Sequence, residues 1–393
     1  MRVKLKDAFN LQMGKTPSRA DLSLWGGNNK WISIADIGSA KKHISSTKEC
    51  ITDEGVSRSG IKVVPEGTVI MSFKLSIGKT AIVSEDMYTN EAIMAFIDNG
   101  TYCIDPNYLY HLCCGTDWTQ GGNKAVMGLT LNKATLSEME IELPTIEEQR
   151  EIASILDQLD AIIEKRHDEL NMIEQLVKSR FIELFGDPVY NTKKLPTKRL
   201  AELGSLDRGR SQHRPRNAPE LLGGPYPLIQ TGEVANAGLY ITGYSNTYSE
   251  LGLKQSKMWK AGTLCITIAA NIAQTSILTF DACFPDSVVG FIPGDSISAI
   301  YMHYWFGFFQ KILEEQAPQV AQKNINLKIL SDLSVVVPNQ EQQKDFIAFV
   351  EQTDKSKYFA CQTLSFLLKL ANNLQSWSCL LYTSPSPRDR QKS

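Results

Sequence analysis

Leu143-Pro144-Thr145-Ile146-Glu147-Glu148-Gln149-Arg150 returns 194 residues later as Val337-Pro338-Asn339-Gln340-Glu341-Gln342-Gln343-Lys344. The match extends to both sides. Leu136-Ser137-Glu138-Met139 is echoed by Leu330-Ser331-Asp332-Leu333, and Gln158 and Asp160 by Gln352 and Asp354. Upstream, Gly26-Gly27 followed by Trp31 to Ile37 corresponds to Gly223-Gly224 followed by Leu228 to Val234. Gly67-Thr68 matches Gly262-Thr263; Ile77, Thr80 and Ile82 match Ile272, Thr275 and Ile277; Phe96-Ile97 matches Phe291-Ile292. The chain is written twice, with small changes of offset where loops differ in length.

The texture changes at the proline of each copy. Before Pro144 the chain is rich in Gly, Thr, Ile and Val, and Val63-Val64, Thr68 to Met71 and Thr80 to Val83 read as strands bounded by turn residues. After it, neither Gly nor Pro occurs until Gly186. Pro144 or Thr145 starts a helix, with Glu147 and Glu148 at its positive end. Its apolar stripe is Ile152, Leu156, Leu159, Ile163, Leu170, Ile173, Val177 and Leu184, interrupted by Arg166 and Arg180. The second copy gives Phe346, Val350, Thr353, Ala360, Leu364, Leu367, Ala371 and Leu374, interrupted by Lys357. Two narrow seams on helices of roughly 40 residues, or about 60 Å, suit a mutual coiled coil. The alternative is two amphipathic helices, each lying on its own domain.

The expected fold is α+β: two pseudo-repeat, β-rich globular domains separated by two long helices that form an antiparallel coiled coil. The bounds are 1–143 for the first domain and 144–186 for its helix, with a linker at 187–196. The second domain covers 197–337 and its helix 338–378. Residues 379–393, from Cys379 through Pro385-Ser386-Pro387-Arg388-Asp389, resemble a translated transposon-type sequencing adapter and are set aside as non-native.

Bulk properties exclude little. The 393 residues are 42% hydrophobic and 21% charged, with a net charge of -2, so a nucleic-acid surface must come from local clusters of basic residues. No apolar signal core follows Met1. The stretch from Leu264 to Phe280 is short for a membrane helix and reads as two strands and a turn. Eight cysteines without a Cys-x-x-Cys pair fit a reducing cytoplasm. Cys113-Cys114 beside His111 can be read as a faint metal signal or as buried thiols.

Catalytic motifs fail on inspection. Gly14-Lys15-Thr16 and Gly78-Lys79-Thr80 look like ends of phosphate-binding loops, but Phe9 and Phe73 stand where the upstream Gly is needed. Asp105-Pro106-Asn107-Tyr108 approximates an adenine-methyltransferase loop with the wrong third residue, and is read as a turn opening a helix. The run Tyr301, Tyr304, Trp305, Phe306, Phe308 and Phe309 is read as a buried helix face rather than a base-stacking platform.

Residues suited to DNA are more evident. Arg208, Arg210, His213, Arg214 and Arg216 crowd a loop opened by Gly209, where arginines can hold phosphates or grip guanine bidentately. Lys15 and Arg19 hold the matching place in the first copy, more sparsely. Amides can pair with adenine. Candidates are Gln120, Asn123 and Lys124 in the first copy; in the second they are Gln322, Lys323 and Asn324, with Gln319 nearby. Asn271 and Gln274 occupy the turn that corresponds to Ser76 and Lys79, and Lys79 is the candidate of that turn in the first copy. Each amide taken alone also has a structural reading.

The duplicated layout, the two Pro-led helix entries, the Trp31 to Ile37 segment and the Phe181 to Pro188 helix exit resemble the specificity subunits of type I restriction-modification enzymes, up to about residue 378. The resemblance implies a subunit without catalytic activity. Each globular repeat would be a target recognition domain reading one half of a split double-stranded DNA site. The helices would separate the domains and dock methyltransferase subunits, to which restriction endonuclease subunits are added. It also implies no cofactor on this chain, with S-adenosylmethionine, ATP and Mg2+ expected on the partners. The specificity portion of a fused restriction-methylation enzyme and a two-domain adaptor that binds no DNA are the other readings.

Overall fold

The structure is a computed structural model. It describes residues 1–74, 76–118, 123–125, 128–213, 215–269, 272–316 and 325–380. The chain forms two compact units, one from Met1–Asp168 with the chain from Cys361 onward, the other from Glu169–Ala360.

In the first unit a five-stranded sheet runs in the order Phe9–Met13, Ile93–Asp98, Val69–Ser72, Thr80–Val83, His43–Ile44. The second unit repeats it as Gly204–Arg208, Val288–Pro293, Leu264–Thr267, Thr275–Leu278, Tyr240–Ile241. Polarity repeats too: three antiparallel pairings and then a parallel one at the edge. Val69–Ser72, Thr80–Val83, Leu264–Thr267 and Thr275–Leu278 are buried at every position. Such strands are apolar on both faces, which is why they read as short runs of Ile, Val and Thr without alternation. Val63-Val64 departs from the strand expectation: Val64 makes a single bridge to Met87. Pro65 follows, and its missing N–H cannot extend a ladder.

A second, smaller sheet carries Trp25–Ile32 beside Glu49–Ile51 and Tyr88–Thr89 in the first unit. Its counterpart places Leu222–Leu228 beside Asn246–Tyr248 and Ala282–Cys283. Each globular part is closed by its own ends: Arg2–Lys4 pairs with Glu140–Glu142, and Thr197–Arg199 with Ser334–Val336. The stretch from Leu264 onward is two strands and a turn, as the sequence indicates. Tyr301, Trp305 and Phe306 are fully buried on the helix Ala299–Gln316.

The long helices are Ile146–Phe185 and Gln340–Leu380. Thr145 caps the first reciprocally: its hydroxyl accepts from Glu148 N at 3.3 Å, and the Glu148 carboxylate accepts from Thr145 N at 2.9 Å. Asn339 caps the second by accepting from Gln342 N at 2.8 Å. Gly186, at φ 75°, ends the first helix in the left-handed conformation. None of the apolar stripe residues on either helix is exposed. Within the second unit the helices run antiparallel. Phe181 meets Phe346 with ring centroids 5.4 Å apart, and Glu174, two turns back, meets Lys357, three turns on, at 2.7 Å. Lys357 interrupts the seam in sequence but has its countercharge on the partner helix.

Gln149 and Gln343 explain why the opening motif recurs. Both side chains are buried. Gln149 accepts from Asp105 N at 2.9 Å and donates to the carbonyls of Cys103 and Pro144 at 3.2 and 3.0 Å. Gln343 accepts from Ser298 N at 3.1 Å and donates to the carbonyls of Ser296 and Pro338 at 3.0 Å each. Each amide therefore ties the start of a long helix to the start of an earlier helix, Pro106–Gly115 or Ala299–Gln316. Tyr108 and Tyr301 add a matching pair of bonds to the Glu142 and Val336 carbonyls at 3.0 and 2.8 Å.

Candidate nucleic-acid interface

Strand register decides which loops come together. In the first unit Met13 lies opposite Met94, Met94 opposite Met71, and Met71 opposite Thr80. The loop leaving Met13 and the turn before Thr80 therefore emerge at one end of the sheet, three strand spacings or about 14 Å apart. In the second unit Arg208 lies opposite Val289, Val289 opposite Ile266, and Ile266 opposite Thr275. The loop after Arg208 and the turn before Thr275 form the same end. Ile325 N bonds to Ile268 O at 3.0 Å, which brings the start of the segment after 324 to that end as well. About 14 Å of loop spans roughly four base steps at 3.4 Å each.

Two glycines open these loops for a steric reason. A Cβ on Gly14 would sit 2.0 Å from the Thr89 carbonyl oxygen, and one on Gly209 would sit 2.3 Å from that of Phe284. The turns repeat as well. Ser72 Oγ accepts from Lys79 N at 3.1 Å, and Thr267 Oγ1 accepts from Gln274 N at 3.1 Å.

The predicted side chains divide into several groups. Lys15 and Lys79 are exposed at the loop end of the first unit, with Lys15 Nζ donating to Ser59 O at 3.1 Å. Arg19 is committed internally. Its guanidinium grips Glu49 at 2.5 and 2.8 Å and lies 3.7 Å from the Trp25 ring centroid and 5.1 Å from that of Trp31. In the second unit Arg210 is exposed. Arg208 Nε donates to Asp286 O at 2.9 Å, and Arg216 pairs with the Asp286 carboxylate at 2.7 Å. Gln274 lines a cavity of 510 Å³ together with Lys178, Lys357, Glu174 and His303. That cavity faces the long helices. Asn123 and Lys124 form the strand Asn123–Ala125, paired with Gly128–Thr130. Gln120, Arg214, Asn271, Gln322, Lys323 and Asn324, with Gln319, lie outside the described residues.

Sequence reading passed over the acids that hold these arginines, Glu49 and Asp286. It also passed over the partners of His111. His111 Nε2 meets the Asp157 carboxylate at 2.7 Å, and Lys42 Nζ bonds to the same oxygen. Burial pushes His111 below its ordinary value against the pull of Asp157. Burial would raise Asp157, but Lys42 and His111 outweigh it and hold the carboxyl below the usual range. These groups join the long helix to the loop at Lys42 and to the helix Pro106–Gly115. Cys113 is buried and Cys114 exposed, and among the described residues no cluster of His, Cys, Asp and Glu is placed to hold a metal ion.

The model of the type I restriction modification DNA specificity domain matches residues 1–175 and again 193–358. This chain belongs to that family. It is 27% identical over 274 residues to the MjaIX type I restriction enzyme specificity subunit of Methanocaldococcus jannaschii. That alignment takes in 65% of this chain and spans 62% of the relative's length. The EcoprrI type I restriction enzyme specificity subunit of Escherichia coli is 23% identical over 372 residues, covering 90% of this chain and 87% of that protein. The fold is shared with a solved chain of a type I R-M system at TM-score 0.61 and 18% identity, over 96% of this chain and 97% of that one. It is also shared with the S subunit of a type I restriction-modification system from M. genitalium, at TM-score 0.57 and 15% identity, over 96% and 95%. Among the described residues no helix is long and apolar enough to cross a membrane.

Proposed function

We propose that this specificity-domain protein reads a bipartite DNA site for a type I restriction-modification complex and carries no catalytic activity of its own. Each repeat reads one half-site, and the long helices set the gap between them. One observation carries the reading: the same sheet presents the same two loops at the same end in both units, with Gly14 and Gly209 opening them. Two copies of one reading surface suit a site in two halves. Lys15, Lys79, Arg208 and Arg210 are the described residues best placed to meet DNA, with the phosphate contacts fixing register and the base contacts giving sequence.

Methyltransferase subunits dock on the long helices, and restriction endonuclease subunits join that core. Supporting this, Ile155, Ile162, Met172 and Leu176 on the first helix are 51%, 45%, 67% and 52% exposed, away from the seam. S-adenosylmethionine, ATP and Mg2+ belong to those partners, in a reducing cytoplasm. Glu164, on the same helix, already pairs with Lys41 at 3.1 Å. Lys165, exposed on that helix, is thus the better place for a charge reversal aimed at docking alone.

The test is methylation-site mapping of the chain assembled with type I methyltransferase subunits. Methylation at a two-part site with an unread gap is expected. Methyl transfer by the purified chain alone, or duplex binding that ignores both salt and sequence, refutes the reading.

A further inference from the structure

The two units treat one arginine in opposite ways. Arg19 stands three residues before the short helix Leu22–Leu24, and Arg216 three residues before its counterpart Pro219–Leu221. The neighbouring sheets are in the same register. Trp31 lies opposite Glu49, as Leu228 lies opposite Asn246; Trp25 lies opposite Ile51, as Leu222 lies opposite Tyr248. Both ladders shift register at the same step of the strand.

In the first unit the space between these strands is occupied. Arg19 folds onto Trp25 and Trp31, and Glu49 holds it by two hydrogen bonds. In the second unit every partner of the arginine in that arrangement is changed. Both tryptophans are leucines, and the glutamate is Asn246. Arg216 has no carboxylate in the cavity and pairs instead with Asp286 at the rim, 2.7 Å away. A cavity of 250 Å³ is left, bounded by Arg216, Asn217, Leu228, Gln230, Asn246 and Ser287 among others. Asn217 and Gln230 are exposed and Asn246 is half-buried; among the described residues the Asn246 side-chain amide makes no hydrogen bond. A half-buried amide such as that of Asn246 is suited to pair with a polar ligand entering the recess, because a desolvated donor or acceptor left without a partner costs stability.

Size and place narrow the ligand. The cavity is smaller than the roughly 300 Å³ at which pockets for whole small molecules begin. It opens at the loop end of the sheet, since Ser211 and Arg216 belong to the loop after Arg208, and Pro285 and Ser287 precede Val288. A carboxamide offers one donor and one acceptor side by side, which matches the N6 and N7 edge of adenine. We infer that this cavity is a base-reading subsite of the second unit, that it takes the edge of an adenine in the second half-site, and that Asn246 is its specificity-determining residue. The first unit has no such subsite because Arg19 fills it. The two half-sites are therefore read by different side-chain sets on one scaffold.

The inference rests on the DNA-reading role proposed above, and the experiment separates the two. The full chain, assembled with methyltransferase subunits, selects from random duplexes, and the retained DNA is sequenced for the wild type, Asn246→Ala and Asn246→Asp. Asn246→Ala should lower discrimination at a single adenine of the second half-site by on the order of 10-fold or more. Asn246→Asp is nearly isosteric and keeps only acceptors, so it should move the preference at that position toward cytosine, whose N4 donates. The first half-site should not change. Unaltered sequence preference, an even loss of affinity, or changes in both half-sites would overturn the subsite. Failure of the wild-type assembly to select any sequence would instead overturn the DNA-reading role itself.

Discussion

Replacing Gln343 by alanine removes three hydrogen bonds at once and leaves their partners inside the protein. The side chain is 4% exposed, so water cannot readily take its place. Ser298 N and the carbonyls of Ser296 and Pro338 lose partners at 3.0–3.1 Å. At a net of about 1 kcal/mol for each bond, the loss is about 3 kcal/mol. It falls on the joint between the helix Ala299–Gln316 and the helix Gln340–Leu380. The effect should therefore be local before it is global. A chain of two units does not unfold in one step, so native-state hydrogen exchange is the better assay. Protection should drop by about 100-fold at the Ser298 amide and in the first turn of the second long helix, with the first unit unchanged. Gln343→Glu sharpens the argument. A carboxylate keeps an acceptor for Ser298 N but turns oxygen toward two carbonyls, and should be at least as damaging at neutral pH. Protonation restores one donor, so part of the loss should return in acid. A Gln343→Ala protein that loses less than about 0.5 kcal/mol, or loses protection equally in both units, would refute the view that this amide is the joint.

Two further outcomes follow from the same structure. Burial lowers the His303 pKa to about 4, so below the ordinary value of 6.5 the unfolded chain takes up a proton that the folded unit refuses; stability should fall with falling pH between about 6.5 and 4, by roughly 3 kcal/mol in all, and His303→Gln should flatten that slope in urea titrations at stepped pH. Inserting about four residues after Leu170 adds roughly one helical turn, about 6 Å, or nearly two base steps; methylation mapping should then show the same two half-sites with a changed gap, and altered half-site bases would refute the ruler.

Much of the fold was legible because repetition and periodicity are local properties of a sequence. The Pro144 and Pro338 helix entries, the seam from Ile152 to Leu184 and the paired strands around Leu264 follow from spacing alone. Burial of Tyr301, Trp305 and Phe306 follows from their density on one helix. Val63-Val64 looked like a strand because β-branched residues favour one, but Pro65 removes the donor a ladder needs. Gln149 and Gln343 were visible as matched letters, yet their role was not. Nothing in a glutamine specifies that three backbone groups from an earlier segment will surround it.

The candidate site was less legible for a reason that Arg19 and Arg216 make plain. Both are arginines in polar loops after a glycine, and by sequence both suit DNA. What separates them is a residue about 30 positions away, placed opposite Trp31 or Leu228 by strand register. Glu49 supplies a charge to Arg19 and the indole rings of Trp25 and Trp31 supply a face, so its guanidinium is held by two charge-assisted bonds and aromatic stacking. Asn246 supplies no charge, and the same arginine turns outward to Asp286. A side chain's availability to a ligand is thus set by its competitors within the fold. Local clustering can propose a basic residue, but only the register of the sheet shows whether an acid has already claimed it.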